Sequence, residues 1–464
     1  RLRGDDVDEA GDAEVVKRHN AMKNNVPSRL FLALALSGLS AGARPADAVV
    51  VTPRGPAAII SPIVVDTFAD DFANNGLCSL REAVESVRQH ASVGGCDFPL
   101  LGTPSIELST GTYILTRTGT ITGGSLNLNG TVVINGVGMT QTVIKQTVGG
   151  ERVITVDAGR ATLRDLAITG GSGSEGGGLF NNATATLDGV RVFSNTASGG
   201  GGVENGPLMT MTIQNSLIDR NSASSGAGVR NTGTLVMRSS AIVSNTANSS
   251  AGGLKGDGPT ILENVTIMGN TAGSLGGGIA QAPVHALHAR STTIARNVSG
   301  NVGGGLHLQS HSGGAVTFEN SIVAENRQTG VGDSDCAGAP ADALYSLVAD
   351  GGCSVGALFE SIAGTSAATV TVKFGPVTFA DGVIPHLTLL ANSPAVNRGD
   401  VLACAGTGDT PPATDALGAP RVQGGRCDMG AVEFSGVANP PPTPTPTATP
   451  TPLASTALPV NTFT

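Results

Sequence analysis

From about residue 170 to 326 one short phrase recurs six times, and a recurrence at that spacing leaves few folds open. Each copy is an apolar residue, two variable residues and an asparagine, then a polar spacer, then a glycine-rich triplet followed by an apolar residue. Val192 to Asn195 precedes Gly200-Gly201-Gly202-Val203, Ile218 to Asn221 precedes Gly226-Ala227-Gly228-Val229, and Ile242 to Asn245 precedes Ala251-Gly252-Gly253-Leu254. Ile267 to Asn270 precedes Gly276-Gly277-Gly278-Ile279, Ile294 to Asn297 precedes Gly303-Gly304-Gly305-Leu306, and Val323 to Asn326 lacks the glycine half. Successive asparagines lie 26, 24, 25, 27 and 29 residues apart, a period that marks a solenoid.

Between glycine triplet and asparagine lie short alternating segments such as Ala185-Thr186-Leu187, Met209 to Ile213, Thr234 to Met237 and Ile261 to Ile267. They are too short for helices and rich in β-branched residues with period two, so they read as strands. One repeat holds about three such strands and no crossover helix. The fold expected is all-β: a single-stranded parallel β-helix with rungs stacked about 4.8 Å apart, right-handed by the usual rule for parallel connections. At one corner Asn tolerates the left-handed conformation and its amide can bond to the amide one rung away. Two files are expected, Asn195 to Asn326 and a looser one of Asn215, Ser239, Asn264, Ser291 and Asn320. Glycines take the other corner, where φ is positive or backbones crowd.

Composition agrees with tight winding: Gly 66, Trp 0 and 3% aromatic residues. A formal charge of -9 argues against nucleic acid as a partner. Met22 to Arg29 is a basic lead, Leu30 to Leu39 an apolar core too short for a membrane span, and Ala46-Asp47-Ala48 a small-x-small cleavage site, together a secretory signal peptide. The six cysteines of an exported chain then suggest three disulfides, and spacing favours Cys78 with Cys96, Cys336 with Cys353 and Cys404 with Cys427 among 15 connectivities.

The one convincing helix follows Cys78: Ser79 and Glu82 form a capping box, Leu80, Val84 and Val87 share a face, and Arg81 and Glu85 are an i,i+4 pair. It reads as a lid over the open end of the coil. The string Cys78 to Ala83 resembles the signature of the exported bacterial CSLREA-domain proteins. The repeats are similar to polymorphic outer-membrane-protein repeats, with Val or Ile where those carry Phe. Ser393 to Gly399, Asp415 to Arg421 and Cys427 to Phe434 resemble the choice-of-anchor Q domain, a resemblance that implies a module placed after a β-helix and before a surface anchor.

The expected layout is 1–21, a charged lead reading as an over-extended start; 22–48, the signal peptide; 49–105, an N-terminal segment with the helix; 106–326, the β-helix; 327–435, the end of the coil and the anchor-Q-like module; and 436–464, a Pro/Thr-rich stalk. No membrane span is expected in the mature chain, which reads as a monomer.

Chemistry is thin. A lyase acting on acidic polysaccharides needs carboxylates around a divalent cation and a nearby Arg or Lys; a hydrolase needs an acid and base pair. The column two residues after the glycine triplet reads Phe180, Glu204, Arg230, Lys255, Ala280 and His307, in which Glu204 beside Arg230 is expected as a cross-rung ion pair. His285, His288, His307 and His311 cluster within two rungs and could bind a metal but read as surface bystanders, and Asp333, Asp335, Asp66, Asp70 and Asp71 read as solvated turn carboxylates that could take Ca²⁺. No catalytic, cofactor or metal residue is assigned. The function expected is a secreted or cell-surface β-helix protein without catalysis, either an adhesion-like binder of an extracellular polysaccharide or surface protein or an envelope component, the alternative being a polysaccharide lyase or glycoside hydrolase with a divergent site. Three carboxylates converging in one groove with a basic residue in reach would mark the enzyme.

Overall fold

The structure is a computed structural model that describes residues 61–119, 123–309, 315–338, 341–353, 356–358, 360–404 and 413–436. The expected signal peptide and stalk lie outside them. The chain coils as a parallel β-helix, pairing each strand with the equivalent strand one rung on, from Ile63–Val64 to Ile362–Ala363. Parallel pairing therefore runs past both ends of the 106–326 stretch that the sequence period marks.

A full rung has four strands rather than three. Val203–Asn205 and Thr210–Gln214 belong to the first sheet, Leu217–Asp219 to the second and Ser222–Ser225 to the third. Earlier in the chain the first two are one continuous strand, as in Leu126–Asn135 and Ile154–Arg164. The core is a stack of like on like: Val192 pairs in register with Ile218, then Ile242, Ile267, Ile294 and Val323, each at most 1% exposed. Stacked β-branched side chains fill a narrow coil without voids.

Asparagine amides form the expected file. Nδ2 of Asn195 donates to Oδ1 of Asn221 at 3.0 Å, and the pattern continues through Asn245, Asn270 and Asn297 to Asn326. Their backbone differs from the expectation. The left-handed residue is the one before each asparagine, with φ of 53° to 58° at Ser194, Arg220, Ser244, Arg296 and Glu325, so the amide turns inward. The looser column does take the left-handed conformation itself, at Asn215, Ser239, Asn264, Ser291 and Asn320. At the glycine corner the first triplet position has positive φ, as at Gly200 (56°), and at the third, Gly202, a Cβ would lie 2.6 Å from the Gly228 carbonyl oxygen.

The helix Leu80–Gln89 carries the capping box, Ser79 N–H donating to Glu82 Oε2 at 3.0 Å and Glu82 N–H to Ser79 Oγ at 3.2 Å. Its apolar face, Leu80, Val84 and Val87, is buried. The i,i+4 pair does not form: Arg81 turns inward to Asp70 and Glu85 pairs with Arg88. The helix packs against Leu126–Asn135, while Ile63–Val64 and Ser105–Glu107 extend the same sheet beside it, so it closes part of the coil's end.

All three expected disulfides are present, Cys78–Cys96, Cys336–Cys353 and Cys404–Cys427. The C-terminal residues differ most from the linear layout, because they fold back along the outer face of the second sheet. The hairpin Phe374–Ala380 with Ile384–Leu389 buries Ile384 beside Leu217 and Ala241, and Phe374 and Leu387 beside Ala295, Ala324 and Leu347. Arg421, 1% exposed, donates to Glu433 and to Asn264 Oδ1, and Asn264 Nδ2 donates to the Thr414 carbonyl at 2.8 Å. Asn320, bonded to Asp400, adds a second contact, so two members of the looser column, Asn264 and Asn320, dock the C-terminal module.

Candidate functional site

The column on the first sheet is where charge collects. The register sets Phe180 beside Glu204, Glu204 beside Arg230, Arg230 beside Lys255, and then Ala280 and His307. Each is the middle residue of a three-residue strand whose neighbours point inward, so all six face out on one line.

The expected ion pair forms, with Arg230 Nη1 3.3 Å from Glu204 Oε1. The structure adds two acids that the column did not contain. Glu175, just before Gly176, reaches Arg230 Nη1 at 4.0 Å, and Asp257, just after the strand Leu254–Gly256, reaches Arg230 Nε at 3.4 Å and Lys255 Nζ at 3.4 Å. Three carboxylates with basic residues in reach therefore do converge. The guanidinium of Arg230 stands among them, in the place a carboxylate cage would offer to a cation. Arg152 extends the cluster, its guanidinium 4.7 Å from the Phe180 ring centroid.

Glu204 is the perturbed member. It is 3% exposed, its Oε2 has no hydrogen-bond partner among the described residues, and burial, opposed by Arg230, pushes its carboxyl up to about 8. The glycine corner makes the space: a Cβ at Gly200 would lie 2.7 Å from that Oε2. Burial favours the protonated form of Glu204 and the Arg230 guanidinium the charged one, a balance found in catalytic acids and in structural ones.

The other candidates are dispersed. Asp70 accepts from Nε and Nη2 of Arg81 and from the Thr116 and Arg117 amides at 2.6 and 2.9 Å, and Asp66 accepts from the Cys78 amide at 2.7 Å. Asp71 takes part through its main-chain oxygen, which accepts from Ser79 Oγ. Asp335 is 1% exposed and ends the asparagine file, while Asp333 is exposed. Asp70 and Asp335 are thus internal clasps rather than solvated turn carboxylates, whereas Asp66 is exposed. His288 Nδ1 pairs with Thr317 Oγ1 at 2.7 Å, burial lowers the pKa of His307, and His311 lies outside the described residues. Among the described residues no group of three or more His, Cys, Asp or Glu is arranged to hold a metal ion. No helix among them is long and apolar enough to cross a membrane.

Two features escaped the sequence reading. A second amide file links Asn181, Asn205 and Asn231 at 2.7 and 2.8 Å and ends on Thr260 Oγ1. Its signal was an Asn three residues after the glycine triplet in three successive rungs. The covered outer face of the second sheet was legible too, since Ala241-Ile242-Val243, Thr293-Ile294-Ala295 and Ile322-Val323-Ala324 have no charged residue to face water.

No protein-family profile matches this chain, and no curated protein matches it in sequence. Among solved structures, the crystal structure of pectate lyase Pel9A is similar at a TM-score of 0.44 and 13% identity, over 80% of this chain and 95% of that one.

Proposed function

We propose that this is an exported, non-catalytic β-helix protein that binds an extracellular polymer along its exposed flank. The observation that carries the reading is Arg230 enclosed by Glu175, Glu204 and Asp257. Acids so neutralised present neither a cation cage nor a free acid and base pair. With the second sheet covered by the C-terminal module, the third sheet offers a free face on which Thr196, Ser222, Thr246 and Thr271 stand exposed in one register column. Hydroxyls repeated at rung spacing suit a polymer that repeats as well. Three disulfides accord with an oxidising, extracellular location. Display through an anchor, as the choice-of-anchor Q resemblance implies, and a monomeric state complete the proposal.

A polysaccharide lyase or hydrolase is the second reading, favoured by the unpartnered Oε2 of Glu204 and its carboxyl raised to about 8. One experiment separates the two. Purified protein is incubated with uronic-acid and neutral polysaccharides, with and without Ca²⁺, and followed for co-sedimentation and for unsaturated or reducing ends. Co-sedimentation without new chain ends supports the binding protein. New ends that disappear in Glu204→Gln would replace it with the enzyme.

A further inference from the structure

A cavity lies away from the charged column, near the last rungs. Its volume is about 390 Å³, within the ~300–1,000 Å³ typical of small-molecule sites. It sits at the corner between the second and third sheets, where residues 369–371 cross back over the coil, held by the Val370 N–H donating to the Ala349 carbonyl at 2.8 Å.

Its walls differ in character. Val298, Val370 and Ala349 are apolar, Thr369 and Thr371 bring hydroxyls, and Arg327 and Asp333 face each other as cross-strand partners. Arg296 also lines the cavity, but its Nε is engaged by Glu325 Oε2 at 2.8 Å. Arg327 has no carboxylate within salt-bridge distance among the described residues. The buried Asp335 at the floor spends both oxygens on internal amides, Oδ1 on Asn326 and Oδ2 on Asp350. Among the described residues that leaves one unpaired cation, two hydroxyls, the exposed carboxylate of Asp333 and an apolar wall, with the exposed Glu325 held by Arg296.

We propose that this corner cavity binds a single uronic-acid residue, its carboxylate on Arg327, its ring hydroxyls on Thr369, Thr371 and Asp333, and the C–H face of its ring on Val298 and Val370. A guanidinium takes a carboxylate by two parallel N–H bonds, and an exposed aspartate accepts from sugar hydroxyls. The cavity continues the free face of the third sheet, because Arg327 pairs with Val298 and Val298 with Thr271 in the same register column. A chain lying on that face would place a sugar residue here. The site itself does not depend on polymer binding elsewhere on the flank.

The test is calorimetric titration of the full chain with trigalacturonate, beside maltotriose as the uncharged analogue and sodium sulfate as the bare anion. Trigalacturonate binds, maltotriose and sulfate bind far more weakly, and Arg327→Gln weakens the uronate about tenfold or more. Thr371→Val weakens it severalfold, and Arg220→Gln, at an upstream corner, leaves it unchanged. Thermal melts establish that each variant is folded, and Thr371→Val decides alone if Arg327→Gln is not. Equal binding of maltotriose, sulfate displacing the uronate as an equal, no binding at all, or indifference to both variants overturns the proposal. Because the probe is a trimer read by heat, its failure is distinguishable from a failure of polymer co-sedimentation.

Discussion

Asn326 Nδ2 donates to Asp335 Oδ1 at 2.9 Å, and the Asn326 main-chain N–H shares the same oxygen at 2.9 Å. The file of amides therefore ends on a carboxyl oxygen that accepts both N–H groups rather than on another amide. Within the file each Asn both accepts from one rung and donates to the next, so the last donor needs an acceptor in place of the next amide. Asp335 meets that need and fastens itself sideways, its N–H donating to Asp350 Oδ2 at 2.7 Å and its Oδ2 accepting from the Asp350 N–H at 3.1 Å.

Breaking the file in the middle should be costly. Asn270 donates through Nδ2 to Asn297, to the Ile242 carbonyl and to the Met268 carbonyl, and accepts from the amide and side chain of Asn245. Asn270→Ala leaves buried groups unpaired on both neighbouring rungs and should lower stability by about 2–4 kcal/mol in urea unfolding. Asn215→Ala, in the column outside the core, should cost well under half of that. Equal losses would show that the file carries no special weight.

Mild acidification should stabilise the protein. Burial raises Glu204 from 4.5 to about 8 and Asp335 from 3.8 to about 7. A carboxyl whose folded pKa lies above its unfolded value contributes stability fully present below the unfolded value and lost as pH rises through the folded one. The denaturation midpoint should therefore fall as pH rises from 6.5 to about 8; below 6.5 buried His386, lowered to about 4, acts in the opposite direction. Glu204→Gln should flatten that fall and exceed the parent near pH 9 by on the order of 1–2 kcal/mol. An unchanged slope in the variant would mean that Glu204 is charged in the fold.

Glycine triplets should tolerate substitution unevenly. The chain itself places Ala251 at the first position with φ 59° and Ala227 at the second, but the third is Gly202, Gly228, Gly253, Gly278 and Gly305 in turn. At each third position a Cβ would come within 2.4 to 2.6 Å of a carbonyl oxygen one rung away. Gly253→Ala should therefore cost several kcal/mol, on the scale of backbone displacement in a packed core, and Gly226→Ala, at a first position where a Cβ would meet nothing nearer than 3.0 Å, distinctly less. Melting temperatures of the pair check the order.

The C-terminal module should detach when its pin is removed. Arg421 Nη1 lies 3.0 Å from Glu433 Oε1 with both side chains 1% exposed. Arg421→Met leaves a buried carboxylate without its cation, a loss of about 3–5 kcal/mol by analogy with other broken buried pairs. Limited proteolysis should then cut within 374–434, and hydrogen exchange should rise at Ala241–Val243 and Thr293–Ala295 while the first sheet stays protected.

Much of the site was visible one residue at a time. The Glu204–Arg230 contact followed from register alone, since a period near 25 residues aligns equal positions. Glu175 and Asp257 did not, because they sit in corners, where rungs differ in length and sequence offset no longer predicts height along the coil. Arg81 shows a similar limit: helical spacing offered Glu85, but the buried Asp70 lies closer once the preceding loop folds over the helix.

By itself the sequence determined the coil, its glycine and asparagine corners, the capping box and the disulfide partners, because each depends on local conformation or on a spacing counted along the chain. Only the tertiary structure decided that the C-terminal module lies back along the second sheet, that Asp335 closes the amide file, and that three acids surround Arg230. Those depend on which distant surfaces meet, and the meeting is set by shape and buried area across 100 or more residues of separation, as in Asn264 with Arg421.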